Sequence, residues 1–208
     1  MVDAGRYHFQ SAAVPNAYDS YLVPRLFTPW ARVLLDSLLP LAGEAGLDVA
    51  CGTGVVTRMA AERVGPDGAA TGADISAQML EIARAKPAPA NAAPIEYVES
   101  PAAPLAVQDS AFDFLTCQQG FQFFPDRAAA AAEARRALKP GGRVGIAVWG
   151  PIQECGHFMT LHGVLREKVD RELADLILVP FSWPDPDALS REGGVQSMMS
   201  SNIATARA

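Results

Sequence analysis

The chain has 208 residues, half of them hydrophobic and 19% charged, which is enough for one well-buried domain and short for two. A formal net charge of −6 and the lack of any basic run leave no positive field for a phosphate backbone, so nucleic acid is not an expected partner. Three cysteines, Cys51, Cys117 and Cys155, have no histidines at ligand spacing, so neither a disulfide framework nor a zinc site is expected and a reducing cytoplasm fits.

Met1 to Arg6 lacks the apolar core of an export signal, and no apolar run approaches the ~20 residues that span a bilayer, which argues against secretion and membrane insertion. In residues 17–41, apolar positions recur at helical spacing (Tyr18, Tyr21, Leu22, Leu26, then Ala31, Leu34, Leu35, Leu38), and Pro24 and Pro29 divide the run into two short helices. From Leu47 a compact apolar strand stops at a glycine pair, followed by a helix over 55–64 and a turn at Gly65-Pro66-Asp67-Gly68. The unit repeats with a strand at 69–73, a helix over 76–85 opening on an N-cap Ser76, and a connector over 86–94. Strands at 95–98 and 112–117, an alanine-rich helix from about 127 to 138 behind Asp126, and a strand at 143–149 complete five strands. Beyond Pro151 the chain is helical to about 178, Pro180, Pro184 and Pro186 interrupt it, and 192–208 shows no convincing strand.

Strands alternating with helices imply an α/β fold, a doubly wound and mainly parallel sheet of about five strands with helices on both faces. Residues 1–190 are read as a single domain: a helical cap at 1–42, a nucleotide-binding core at 43–150 and a helical substrate-side segment at 151–190, with 191–208 as a flexible tail. Ligands of such sheets bind at the carboxyl ends of the strands near the topological switch point.

Leu47-Asp48-Val49-Ala50-Cys51-Gly52-Thr53-Gly54 sets an acidic residue in the first strand and two glycines in the turn entering a helix, where the backbone can approach a ligand closely. Asp74 ends the second strand, where a carboxylate can accept hydrogen bonds from the vicinal hydroxyls of a ribose. Together they describe a pocket for an adenine nucleoside. A dinucleotide fingerprint would need a glycine where Thr57 stands and has no use for Asp48, and Asp48 decides against it.

With Leu138-Lys139-Pro140-Gly141-Gly142-Arg143 ahead of the fifth strand, the motif resembles the class I S-adenosylmethionine-dependent methyltransferases, a Rossmann-like family. It is closest to their small-molecule branch, the ubiquinone and menaquinone C-methyltransferase-like, type 11 members. The resemblance spans about residues 16–150, including Cys117-Gln118-Gln119-Gly120-Phe121-Gln122-Phe123-Phe124-Pro125-Asp126 after the fourth strand. It implies S-adenosyl-L-methionine as the methyl donor and a small-molecule acceptor, with oxygen, carbon or sulfur favoured and ordinary amines still open.

By the same resemblance, Asp48 orients the loop and meets the methionyl amino group, directly or through water, while Gly52 and Gly54, flanked by Ala50 and Cys51, line the methionine and ribose portions. Asp74 holds the ribose hydroxyls, Ile75 and Met79 flank adenine, and Gln118 lies under the methionyl part. The family often has glycine where Ala50 stands. Ser100-Pro101-Ala102 replaces a run whose aspartate meets the adenine amino group, so Pro101 is expected to cost about 1–3 kcal/mol of donor affinity.

Methyl transfer is an in-line displacement that needs alignment and exclusion of water, and a general base only where the acceptor must lose a proton. The catalytic residues are therefore left unassigned. His157 and His162 are the weak candidates for a base, ordinary helix or surface histidines being the commoner case. Phe121, Phe123 and Phe124 could wall an acceptor pocket, though core packing is the commoner role, and Tyr18 and Tyr21 suit either pocket closure or plain packing.

The family normally finishes its sheet with an antiparallel strand pair, which this sequence is expected to lack. An uncovered fifth strand invites pairing with a second copy, so a homodimer through that edge is one expectation. A truncated, non-catalytic relative acting as a binding partner, or inactive, is the alternative to the enzyme reading.

Overall fold

The structure is a computed structural model, and residues 13–181, 195–196 and 201–207 are described. Pro184 and Pro186, read from the sequence as chain breaks, lie outside the described residues.

The N-terminal cap opens with α1 (Ala13–Ala17), continues through a π-helical stretch (Tyr18–Phe27) and passes directly into α2 (Thr28–Leu38). Instead of two helices broken by proline, the run is continuous. Pro24 has no N–H to donate and its ring would crowd a carbonyl four residues back in an α-helix. The wider π spacing carries the chain past it, with the N–H of Thr28 donating to the carbonyl of Val23. Pro29 sits in the first turn of α2, where a missing N–H costs little.

Five parallel strands follow: β1 (Ala45–Val49), β2 (Ala69–Asp74), β3 (Ile95–Glu99), β4 (Phe112–Gln118) and β5 (Leu138–Trp149). They alternate with α3 (Val55–Val64), α4 (Ala77–Ala85) and α5 (Arg127–Ala137). Ser76 and Asp126 cap α4 and α5 as expected, accepting from the amides of Met79 and Ala129. The fifth strand starts earlier than its apolar run indicated, taking in the Lys139-Pro140-Gly141-Gly142 lead.

Side chains alternate across the sheet. Leu47, Val49, Leu115, Cys117 and Val148 face α5, where Ala130 and Ala137 let the helix approach closely. Phe114 faces α2 and α3, packed among Ala31, Leu35, Val56, Ala60 and Val64. Gly46 leaves space for that ring, since a Cβ there would stand 2.2 Å from it. Asp48 and Thr116 share this second face and are direct partners in the β1–β4 register.

The strand order β3-β2-β1-β4-β5-β7-β6 corrects the expectation of a missing closing pair. β7 (Ser201–Arg207) runs antiparallel along β5 from Trp149↔Ser201 to Arg143↔Arg207, and β6 (Val195–Gln196) pairs with β7. Part of the segment read as a tail thus satisfies the outer backbone groups of β5. The edge on which the homodimer expectation rested is covered. The substrate-side segment forms α6 (Gly156–Lys168) and α7 (Arg171–Leu176), and α6 buries none of its residues.

Candidate active site

The strand order reverses between β1 and β4, so their carboxyl ends border the crevice where such sheets bind ligands. The loop after β1 runs through Ala50 at φ +58°, Gly52 at φ +55° and Gly54 at φ +81° before α3 begins. Gly54 needs to be glycine for a second reason: a Cβ there would sit 2.4 Å from the hydroxyl of Tyr97 on β3.

Asp48, only 3% exposed, anchors this loop. One carboxylate oxygen accepts from the amide and the hydroxyl of Thr57, at 3.0 and 2.7 Å, and the other accepts from the hydroxyl of Thr116 at 2.9 Å. Gly72 on β2 leaves the room this needs, because a Cβ there would lie 2.8 Å from the Thr57 hydroxyl. Burial pushes the Asp48 carboxyl up to about 7 despite those three hydrogen bonds, with the charge of Asp74 adding to the rise. Thr57, noted in the sequence only as a missing glycine, is the residue that ties Asp48 to the first turn of α3.

Asp74 accepts from the Gly52 amide through one oxygen and the Ser76 amide through the other, both at 2.8 Å. Burial raises its carboxyl as well, opposed by hydrogen bonds from the amides of Ser76, Gly52 and Ile75. Ile75 follows with its side chain 68% exposed at the mouth of the crevice, whereas Met79 is buried within α4's inner face. The hydroxyl of Ser100 donates to the carbonyl of Pro101 and accepts from the amide of Ala106, so it serves the loop's own turn. Pro101 is exposed and Ala102 half-buried, packed against the core beneath α5.

The cap covers the loop. The Tyr18 hydroxyl is 3.8 Å from where a Cβ on Gly52 would be, and burial, then the carboxylates of Asp74, Asp19 and Asp48, push that phenol up. Asp19 receives the Thr53 hydroxyl and the Lys86 ammonium, the latter at 2.6 Å, while Lys86 also donates to the Thr53 carbonyl. This clamp across cap, loop and connector was not visible in the sequence. Tyr21, the other tyrosine considered for closure, is exposed beside Arg25.

At the end of β4, Gln118 donates its amide to the carbonyl of Phe27 at 2.9 Å, and its side-chain oxygen is buried without a partner. The turn behind it presses on the loop after β1: a Cβ on Gly120 would stand 2.5 Å from that of Ala50. Phe121 belongs to the core beneath α5, with Phe124 packed against it. At the end of β5, Trp149 meets Phe27, Phe158 and Phe181 at ring separations of 6.3, 5.5 and 5.9 Å.

The histidine candidates sit on α6. His157 is exposed with its ring 4.4 Å from Phe158, and His162 directs Nε2 toward Asp175 of α7 at 3.7 Å. Cys51, Cys117 and Cys155 are buried and in no disulfide, and burial raises the first two thiols further, so neither is poised as a nucleophile. Lys139 and Arg143 are engaged with Asp113 and Glu44 at the foot of the sheet.

A parallel sheet in this order, closed by an antiparallel strand and carrying an acidic, glycine-bearing loop after β1 with a second acid ending β2, defines the class I methyltransferase fold. Residues 47–142, just under half of the chain, match the family described as a methyltransferase domain. It is 39% identical over 126 residues to nocamycin O-methyltransferase of Saccharothrix syringae, covering 61% of this chain and 44% of that protein. It is 34% identical over 120 residues to a demethylmenaquinone methyltransferase of Listeria monocytogenes, covering 58% of this chain and 51% of the relative. The chain thus spans about half the length of these curated relatives. A solved S-adenosylmethionine-dependent methyltransferase from Aquifex aeolicus superposes with a TM-score of 0.63 over 95% of this chain and 98% of its own, at 17% identity, which speaks for the fold alone.

Proposed function

We propose that the protein transfers a methyl group from S-adenosyl-L-methionine to a small-molecule acceptor. The observation that carries this is the pair Asp48 and Asp74 on either side of the glycine loop, one anchoring the helix behind it and the other bonded to its amide. The residues suit the donor. Asp74 keeps lone pairs for ribose hydroxyls beside its two amide bonds, Ile75 presents an apolar wall for adenine, and the unpaired oxygen of Gln118 meets an ammonium. Gly52 and Gly54 let the loop backbone approach, with Ala50 and Cys51 completing it, and Met79, Ser100, Pro101 and Ala102 form the adenine side. Bound there, the donor supplies an electrophilic methyl on a sulfonium.

Tyr18, Asp19 and Lys86 act by closing the cap over the loop and excluding water. His162 faces Asp175 and His157 lies beside Phe158, and no general base is assigned to either. The two curated relatives are named for nocamycin and for demethylmenaquinone, which supports a small-molecule acceptor here over nucleic acid. No helix among the described residues is long and apolar enough to cross a membrane, and three cysteines outside any disulfide support a cytoplasmic setting. The inert-partner alternative drew on the absent closing strands, and β7 removes that ground.

The test is thermal unfolding with S-adenosylhomocysteine. At about 100 times its Kd a ligand confined to the native state adds ~2.7 kcal/mol, so a rise in Tm of several degrees is expected. No shift at millimolar ligand overturns the reading.

A further inference from the structure

We propose that Gln122 selects the acceptor, binding a planar molecule that carries a hydroxyl beside a second oxygen. This deepens the methyl-transfer reading and rests on it.

Gln122 is central in the short 3-10 turn Phe121–Phe123, directly after the carboxyl end of β4. It is 3% exposed, and both its amide oxygen and its amide nitrogen are buried without a hydrogen-bond partner. Its backbone is held in place, the carbonyl accepting from Arg127 at 2.6 Å. Most buried polar atoms in native proteins are paired, and an unpaired one is costly. A side chain with neither end paired is a cost that a hydrophobic residue of similar shape would avoid.

Its position gives that cost a use. Gly120, two residues earlier, presses the same turn against Ala50 of the donor loop. On the other side the turn packs against Val179–Phe181, and Phe181 belongs with Phe27, Trp149 and Phe158 to the aromatic cluster at the end of β5. The turn that carries this amide therefore lies between the loop after β1 and the segment that supplies Phe181 to the ring cluster. Aromatic walls favour a flat acceptor. A primary amide donates and accepts side by side, which matches a hydroxyl that donates to Oε1 beside an oxygen that accepts from Nε2. It has no proton to take up near neutral pH, so Gln122 positions an acceptor and does not deprotonate it. Helix α6, whose Phe158 joins the ring cluster, buries none of its residues.

The test uses the full chain and a matched probe pair, naphthalene-2,3-diol and 2,3-dimethoxynaphthalene, titrated calorimetrically in the presence of saturating S-adenosylhomocysteine. Wild type is expected to bind the diol at least tenfold more tightly than the ether. Gln122→Met is expected to lose that preference, to bind the ether within twofold of wild type, and to melt no lower than wild type. A preference that persists in Gln122→Met, or equal affinities in wild type while S-adenosylhomocysteine still binds, overturns the assignment of Gln122 alone. A lower Tm in Gln122→Met with unchanged probe affinities also overturns it, by showing a purely structural amide. Failure of wild type to bind S-adenosylhomocysteine overturns the donor reading and this one with it.

Discussion

Asp74 accepts a hydrogen bond from the amide of Gly52 at 2.8 Å, joining the last residue of β2 to the loop after β1 across 22 residues of sequence. The bond ties the loop's shape to the carboxylate that the donor is expected to use. Asn at position 74 keeps one oxygen and turns a donor toward one of the two amides, so Asp74→Asn is expected to lose about 1–3 kcal/mol of stability. Urea midpoints measure the loss. A neutral substitution would mean that the Gly52 and Ser76 amides are satisfied without the carboxylate.

Asp48 carries a pH dependence of defined sign. Its carboxyl rises from an ordinary 3.8 to about 7 in the fold, so between those values the native state holds a proton that the unfolded chain has released. Stability therefore falls as pH rises from about 4 to about 7, by up to ~4 kcal/mol. The raised carboxyl of Asp74 acts in the same direction. Denaturation at about pH 5 and about pH 8 is expected to show the lower stability at the higher value, with the difference reduced in Asp48→Asn. Equal stability at both, or a rise with pH, contradicts this.

Ala50 holds φ +58° with a side chain, a conformation that costs roughly 1 kcal/mol in a residue other than glycine. Glycine relieves it but frees the unfolded chain, so the expected gain for Ala50→Gly is small, ~0.5 kcal/mol with a Tm about 1–2 °C higher. Differential scanning calorimetry resolves that sign. A lower Tm would show that the methyl group's packing outweighs the backbone strain.

β7 pairs along β5 through seven residues. Removing residues 191–208 exposes that edge and is expected to make the shortened chain associate with rising concentration on a sizing column, whereas the full chain does not associate through β5. A shortened chain that stays monomeric at all concentrations would show that β7 is dispensable to the sheet's edge.

The parts of the site legible in the sequence are those whose chemistry is packed into short spacings. Asp48, Gly52 and Gly54 fall within a single strand and turn, and the N-caps Ser76 and Asp126 stand immediately before their helices. The clamp was not legible, because Asp19 and Lys86 lie 67 residues apart in a helix and a connector that no periodicity links. Nor was β7: Ser201–Arg207 holds one large apolar residue, Ile203, and its strand character comes from the backbone groups that β5 offers. Pro24 signalled a break because proline's rule is written for the α-helix, and the π-helical turn evades it. Gln122 gave no signal at all, since a glutamine among phenylalanines reads as surface until its burial is known.

The most direct test of the methyl-donor site is calorimetric titration of wild type and Asp74→Ala with S-adenosylmethionine and, separately, with NADH. The account predicts one-to-one binding of S-adenosylmethionine to wild type, its loss in Asp74→Ala with an unchanged circular dichroism spectrum, and no heat from NADH. Binding of NADH, or no binding of S-adenosylmethionine to a folded wild-type chain at high micromolar concentration, would contradict it.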